Sequence, residues 1–264
     1  MIHSRGLVAS LKANVRRFLP KTIRSHSILA GPLRGASIYT SWHDYPGAIL
    51  GTTEKPLLEW FSANVSSGET WIDVGAHYGY TAIALCRLVG SKGRVVAFEP
   101  VLSTAGCIAR TRELNGLSQL QIVPAGLSSC SSVESRYMPV IRGMADRTIP
   151  HNVWGERISV VSFDTAWNFL CEGDPVVHGV KIDVQGMEEE VIAGMRCMLS
   201  RYKPKVIIEF HAGVERRCVI DLLGGCGYRG LGEPIEPGVG GFSGYADDKS
   251  YAFLPEADAV CELR

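Results

Sequence analysis

Two apolar runs in the second half of the chain end in groups able to do acid–base chemistry. The first, Val177–Val184, carries Lys181 and Asp183; the second, beginning at Lys205, carries Glu209 and ends against His211. Residues two apart on a strand point to the same face. Each pair would therefore project together from the carboxyl edge of a sheet, and neighbouring strands would gather all four into one pocket. An ammonium, two carboxylates and an imidazole can bind a hydroxyl, orient it and take its proton. The imidazole's ordinary pKa near 6.5 suits proton transfer at neutral pH, which makes His211 the expected base and Asp183 its orienting partner. The plainer alternatives are an ion pair of Lys181 with Asp183 or Glu209, and a hydrogen-bonded histidine at a strand end. Asp183, Glu209 and His211 would also suit a divalent ion. No local ligand motif accompanies them, so no metal is expected. Glu188 and Glu189 open the next helix, where the helix dipole accounts for acids without chemistry.

A second set of residues lies upstream. Asp73-Val74-Gly75-Ala76-His77-Tyr78-Gly79 reads Asp-x-Gly-x-x-x-Gly at the end of an apolar strand. Gly75 permits a tight turn, and Gly79 lets the next helix pack close to the strand. That helix turns its unpaired N–H groups toward a ligand. A dinucleotide fingerprint would read Gly-x-Gly-x-x-Gly, so no pyrophosphate cradle is present, and a cationic ligand could use Asp73. Glu99, followed by the turn-forming Pro100, closes the next strand, where a carboxylate can accept both hydroxyls of a ribose. An adenosyl ligand without a diphosphate is S-adenosylmethionine. His77 is expected to pack in this loop rather than react.

These groups must be positioned by alternating strands and helices. Glu54–Asn64 is an amphipathic helix, Thr70–Gly75 a strand and Tyr78–Val89 a helix. Arg94–Phe98 is the next strand, followed by a helix to about Asn115 and a third strand at Leu120–Val123. Residues 130–160 are less regular and should hold extra strands with a mobile loop around Gly143–Asp146. Val177–Val184, a helix over Glu188–Ser200 and the strand Lys205–Phe210 complete the alternation. Short strands separated by helices imply right-handed βαβ units and a parallel sheet. Strand-like pieces at Gly227–Gly232 and Ser250–Leu254 suggest a closing hairpin with an antiparallel strand.

The blocks WIDVGAHYGYTAIAL and GRVVAFEP, then VPAGLSS, SFDTAW, VKIDVQGMEEEVIAGM and VIIEFH, resemble the FkbM-type S-adenosylmethionine-dependent methyltransferases. The first block is shared by class I methyltransferases at large; Lys-Ile-Asp-Val-x-Gly-x-Glu is the more specific one. The resemblance covers about Glu54 to Phe253. It implies a Rossmann-like α/β fold with a mostly parallel seven-stranded sheet and methyl transfer to a hydroxyl of a sugar, polyketide or similar metabolite. Asp73, Gly75, Ala76, His77, Gly79, Glu99, Pro100 and Gly126 would then hold the cofactor, and Lys181, Asp183, Glu209 and His211 would act on the acceptor. The family usually has Glu where this chain has Gln185. An amide can hydrogen-bond there but cannot serve as a carboxylate.

With 264 residues, 46% of them hydrophobic and 20% charged, the chain can build one sizeable core. Its 27 basic and 27 acidic residues cancel, so no nucleic-acid partner is expected. Charge is uneven, however: residues 1–43 hold seven Lys/Arg and no acid. Leu7, Leu11, Val15 and Phe18 fall there at helical spacing, with Lys12, Arg16 and Arg17 mostly off the stripe. Residues 1–45 are thus a basic arm or cap, able to touch an anionic membrane surface, and dispensable for cofactor binding. Residues 46–264 are the methyltransferase domain. The eight cysteines are scattered without a Cys-x-x-Cys pair. No stretch approaches a membrane span, and the expected location is the cytoplasm. Acceptor contacts should come from the insertions 130–160 and 232–248, with Arg136, Tyr137, Arg142, Asp146, Arg147, His151 and Trp154 suiting a sugar, a phosphorylated molecule or a glycolipid. The competing readings are a nicotinamide dehydrogenase, which lacks its diphosphate fingerprint here, and a non-catalytic binding module of the same fold.

Overall fold

The computed structural model describes residues 16–150, 153–171, 173–211, 214–236 and 249–255. A seven-stranded sheet runs β12-β13-β11-β10-β3-β4-β5. Its central strands β3 (Thr70–Val74), β4 (Arg94–Phe98), β5 (Leu120–Val123), β10 (Gly179–Ile182) and β11 (Lys205–Phe210) pair in parallel. β13 (Lys249–Phe253) lies antiparallel to β11 and to the short β12 (Glu233–Pro234). The mostly parallel sheet with an antiparallel C-terminal strand is therefore present, although β12 begins just after the stretch 227–232 expected to form it.

Both faces of the sheet are covered, which is why its strands read as continuous apolar runs. Ile72, Val74, Val96, Phe98, Val180, Ile182, Val206 and Ile208 belong to one core. On that side lie α5 (Phe163–Leu170), α6 (Glu188–Ala193), α7 (Arg196–Tyr202) and α8 (Arg216–Gly225). The alternate residues Trp71, Val95, Ala97 and Ile207 belong to a second core with residues of α1 (Pro46–Leu50), α2 (Lys55–Asn64), α3 (Tyr80–Val89) and α4 (Leu102–Asn115).

The expected helix over 188–200 is two helices, α6 and α7. At Gly194 the chain passes so close to the strand-end loop that a Cβ would sit 1.9 Å from the Ser128 carbonyl oxygen. Asp164, at the start of α5, then accepts hydrogen bonds from the Cys197 and Met198 amides at 2.9 and 3.0 Å. A side chain from another element thus caps the restarted helix.

Residues 126–161 form a second sheet, ordered β6-β9-β7-β8, from β6 (Gly126–Leu127), β7 (Glu134–Ile141), β8 (Met144–Ala145) and β9 (Gly155–Val161). The stretch expected as a mobile loop at 143–146 is a tight reversal between β7 and β8. Arg142 and Gly143 hold φ of 52° and 74°, as a two-residue hairpin turn of right-handed twist requires. The turn is latched at both residues: Thr104 Oγ1–H donates to Gly143 O at 2.8 Å, and His77 Nε2–H donates to Arg142 O at 2.9 Å.

A hairpin of β1 (Arg24–Ser27) and β2 (Ser37–Thr40) precedes the alternating region. Ile28, Leu33, Ala36 and Ile38 are buried in the second core. The free edge of β2 is met by α4 side chains: Ser37 N–H donates to Asn115 Oδ1 at 2.9 Å and Tyr39 N–H to Thr111 Oγ1 at 3.0 Å. Residues 24–40 thus pack into the core as a cap. Of the helical stripe, Leu7, Leu11 and Val15 lie outside the described residues, and Phe18 is 89% exposed. Among the described residues no helix is long and apolar enough to cross a membrane.

Candidate active site

A cavity of about 290 Å³ opens at the carboxyl edge of the parallel sheet. Its floor is the loop after β3. Gly75 has φ of 77°, and a Cβ there would lie 1.8 Å from the Asp183 carbonyl oxygen, so only glycine fits where β3 and β10 leave the sheet together. His77, also left-handed at φ 49°, donates its backbone N–H to Glu99 Oε2 at 2.9 Å. The Val101 N–H donates to Glu99 Oε1 at the same distance. The Glu99 carboxyl is 3% exposed. Burial pushes its pKa up to about 8, opposed by those two amides. Each oxygen keeps a lone pair for a ligand hydroxyl. Val74, Phe98, Pro100, Leu127, Ile158 and Met187 supply apolar walls. This donor set fits an adenosine: a carboxylate for the ribose, apolar surface for the base, and a glycine loop for close approach.

Asp73 does not reach this cavity. It is fully buried, accepts a hydrogen bond from Thr81 Oγ1 at 2.7 Å and pairs with Lys181 Nζ at 3.4 Å. The register explains the pair, since Lys181 stands opposite Asp73 across β3 and β10. Lys181 also reaches Asp183 Oδ2 at 3.3 Å and the Gly75 carbonyl at 3.2 Å. Burial disfavours the ammonium, but Asp183 and Asp73 outweigh it and hold the pKa above its ordinary value. Lys181 is a fixed cation that ties the cofactor loop to the acidic edge. The cationic ligand expected to meet Asp73 would meet Asp183, Glu209 and Glu54 instead.

The expected convergence of Lys181, Asp183, Glu209 and His211 is realised. Asp183 and Glu209 line the cavity. His211 stands behind them, with Nε2 3.4 Å from Asp183 Oδ1 and 3.4 Å from Glu209 Oε1. Its Nδ1–H donates to Glu188 Oε1 at 2.7 Å, and Glu188 is fully buried. Burial works against the imidazolium, yet Glu188, Glu209 and Asp183 together raise its pKa to about 11. His211, expected as the base, stands outside the cavity lining, and its carboxylate neighbours favour the protonated ring. The two carboxylates it faces separate in the opposite sense. Burial and Asp183 push Glu209 up. Asp183 is held down, against its burial, by Lys181 and His211. The Gln185 amide bridges the group, 3.2 Å from Asp183 Oδ1 and 2.8 Å from His211 Nε2. Its backbone is left-handed, with φ of 51°.

Three further features escaped the sequence reading. Glu188, assigned to the helix dipole, turns inward to hold His211. Glu54 precedes α2 in a left-handed conformation, φ 55°, and lines the cavity. Burial with Asp183 and Glu209 pushes its pKa to about 7. Tyr45, with Asp44 and Thr53, forms the wall opposite the sheet edge, and its ring lies 4.9 Å from that of His77. Burial lowers the His77 pKa to about 4, so the ring is neutral and serves as a packed latch. Gly79 caps α3 without lining the cavity. Among the expected acceptor residues, Arg136 and Arg147 are paired with Glu190 at 2.5 and 2.6 Å. Trp154 is 67% exposed, and His151 lies outside the described residues.

A parallel sheet in this order, with a glycine loop after its first strand and an acid after its second, defines a class I S-adenosylmethionine-dependent methyltransferase. The family model of the methyltransferase FkbM domain matches residues 73–229, and the chain belongs to that family, whose cofactor is S-adenosylmethionine. Solved structures resemble the chain at low identity. An FkbM methyltransferase from Methylobacillus flagellatus KT is 17% identical over 79% of this chain and 52% of its own, with a TM-score of 0.46. This chain thus spans about half the length of that protein. Aeropyrum pernix fibrillarin with natively bound S-adenosyl-L-methionine is 13% identical over 88% and 82% of the two chains, TM-score 0.47. An O-methyltransferase described as putative, from Klebsiella pneumoniae, is 13% identical over 76% and 79%, TM-score 0.43. No curated protein sequence matches the chain.

Proposed function

We propose that the protein transfers a methyl group from S-adenosylmethionine to a hydroxyl of a small molecule or glycan. The observation that carries this reading is the acidic edge of the cavity. Glu209 and Asp183 open onto the same space as the cofactor loop, with Lys181 and His211 fixing their charges. When bound, S-adenosylmethionine supplies an electrophilic methyl on a sulfonium. Gly75–His77, Glu99, Pro100 and Gly126 would hold it, and much of the rate comes from fixing donor and acceptor in line.

A hydroxyl must lose its proton at or before the transition state, which calls for a base beside it. Glu209 is the proton acceptor in this reading, because its carboxyl is pushed above the ordinary range while Asp183 is held ionised. Asp183 accepts a hydrogen bond from the acceptor and orients it. His211 is a positioning residue: it holds the two carboxylates in place while Glu188 holds its other nitrogen. The seven described cysteines are free thiols, in keeping with a cytoplasmic setting.

The test has two arms. Calorimetry should show S-adenosylmethionine binding one to one, and labelled methyl transfer screened across cell-extract fractions should yield products whose label survives base hydrolysis, as a methyl ether does. Binding without transfer to any fraction would favour the non-catalytic module. Label released by base would point to carboxyl rather than hydroxyl acceptors.

A further inference from the structure

Two charges lining the cavity have no ion-pair partner among the described residues. Arg142 and Arg16 both line it, and among the described residues no carboxylate comes within ion-pair distance of either guanidinium. The other arginines of the inserted sheet differ: Arg136 and Arg147 are neutralised by Glu190, and Arg157 bonds to Ser135. The acids nearest Arg142 are already engaged. Asp44 accepts from Ser41 at 2.6 Å and Tyr78 at 3.3 Å and contacts His43 at 2.9 Å. Asp146 accepts from the Thr148 amide and hydroxyl. Burial and the neighbouring Arg16 disfavour the Arg142 cation, and the more distant charges of Asp44 and Asp146 offset them only in part.

The backbone adds an independent reason. Arg142 occupies the first position of a hairpin turn at φ 52°, where Asn, Asp or Gly is ordinarily favoured and a long side chain pays a strain cost of about 1 kcal/mol. The turn is latched to His77 and Thr104, so Arg142 lines the cavity from a fixed base. Two like charges lining one side of the cavity would favour an anion between them. Two guanidiniums match a dianion, and their planar forks fit phosphate oxygens.

We infer that Arg142 and Arg16 hold a phosphoryl group of the methyl acceptor, so that the substrate is a phosphorylated hydroxyl compound. This rests on the methyltransferase reading. The cofactor's own carboxylate is the rival occupant. The acidic edge meets its cationic part, whereas both arginines stand on elements outside the parallel sheet, the inserted hairpin and the segment before β1.

The experiment is a calorimetric titration with inorganic phosphate of wild type, Arg142→Gln and Arg16→Gln, each with and without saturating S-adenosylhomocysteine. Phosphate should bind the wild type and bind each variant about tenfold more weakly or worse, with S-adenosylhomocysteine affinity unchanged. Phosphate that fails to bind wild type, or binds all three proteins equally, overturns the inference. So does a loss of S-adenosylhomocysteine affinity in Arg142→Gln while 5′-methylthioadenosine, which lacks the carboxylate, binds normally; the pair would then serve the cofactor. Arg142→Lys keeps a charge without the fork and should show intermediate phosphate affinity, with a wild-type melting temperature confirming the fold. Should S-adenosylhomocysteine not bind wild type at all, the methyltransferase reading fails, and the phosphate titration of the free protein still decides this site.

Discussion

Glu99 offers a prediction in which pH and mutation check each other. Its carboxyl is buried, takes one backbone amide on each oxygen, and has its pKa raised to about 8. A ribose whose hydroxyls both donate to it requires the carboxylate form, so binding must release the proton that the free protein holds below that pH. At pH 6, two units below, ionisation costs about 2.7 kcal/mol. The affinity for S-adenosylmethionine should therefore rise about tenfold per pH unit from 6 and level off near 8, a gain of about 100-fold. In Glu99→Gln this slope should vanish. At pH 9 the variant should bind more weakly than wild type by about 1.5–3 kcal/mol, the worth of hydrogen bonds to a charged group. At pH 6 the two proteins should nearly coincide. Stability moves the other way. A carboxylate whose folded pKa is raised from 4.5 to about 8 makes the native state the tighter proton binder between those values. That contribution to stability is present at low pH and lost as pH rises through the window. Isothermal calorimetry from pH 6 to 9 measures the first effect and thermal melts the second. The cofactor's α-amino group titrates near 8 as well; 5′-methylthioadenosine has the same ribose without it and should show the same slope. A flat pH profile in wild type, or a slope that persists in Glu99→Gln, refutes the assignment of this carboxylate to the ribose.

Asp183→Asn and Glu209→Gln should each lower methyl transfer by about 10²–10⁴-fold, far more than they weaken cofactor binding, which kcat and binding measured separately will show. His211→Ala should slow transfer less than Glu209→Gln and should not remove an acid limb near pH 6.5; finding that limb in wild type and losing it in the variant would restore His211 as the base. Gly75→Ala, whose Cβ would lie 1.8 Å from the Asp183 carbonyl, should abolish S-adenosylmethionine binding or folding, as read by calorimetry and circular dichroism. A chain beginning at Ser41 loses the buried Ile28, Leu33, Ala36 and Ile38. At about 1.5–3 kcal/mol for each large side chain, it should melt well below the intact protein, and wild-type melting would show that the cap is an appendage.

The parallel sheet was legible because its strands are buried on both faces, so Thr70–Val74, Arg94–Phe98 and Lys205–Phe210 stand out as mostly apolar runs between turn residues. Period-two spacing then carried the meeting of Lys181, Asp183, Glu209 and His211, since parallel register aligns the strand ends. The first hairpin was hidden for the converse reason. Arg24–Ser27 is mostly exposed and polar, and its partner strand completes its edge with side chains from α4, a pairing 72 to 78 residues distant that no local pattern records.

Protonation was the part of the site least accessible to sequence, because it depends on how many charges from separate elements share one volume. An isolated histidine at a strand end has a pKa near 6.5 and looks like a base. In the fold, Glu188 arrives from α6, Asp183 from the end of β10 and Glu209 from β11, and together they raise the ring's pKa to about 11. The Glu188 position shows why local reasoning fell short. An acid in the first turn of a helix satisfies the dipole whichever way it points. Its contact with the His211 ring just beyond β11 turns this one inward while Glu189 stays outside. The consequence runs through the whole edge: one buried acid fixes the imidazolium, the imidazolium and Lys181 hold Asp183 ionised, and Asp183 in turn raises Glu209. The split between the two carboxyls is thus influenced by a residue outside the cavity lining. Replacing Glu188 with Gln should therefore shift the pH dependence of transfer without removing any group that meets the acceptor.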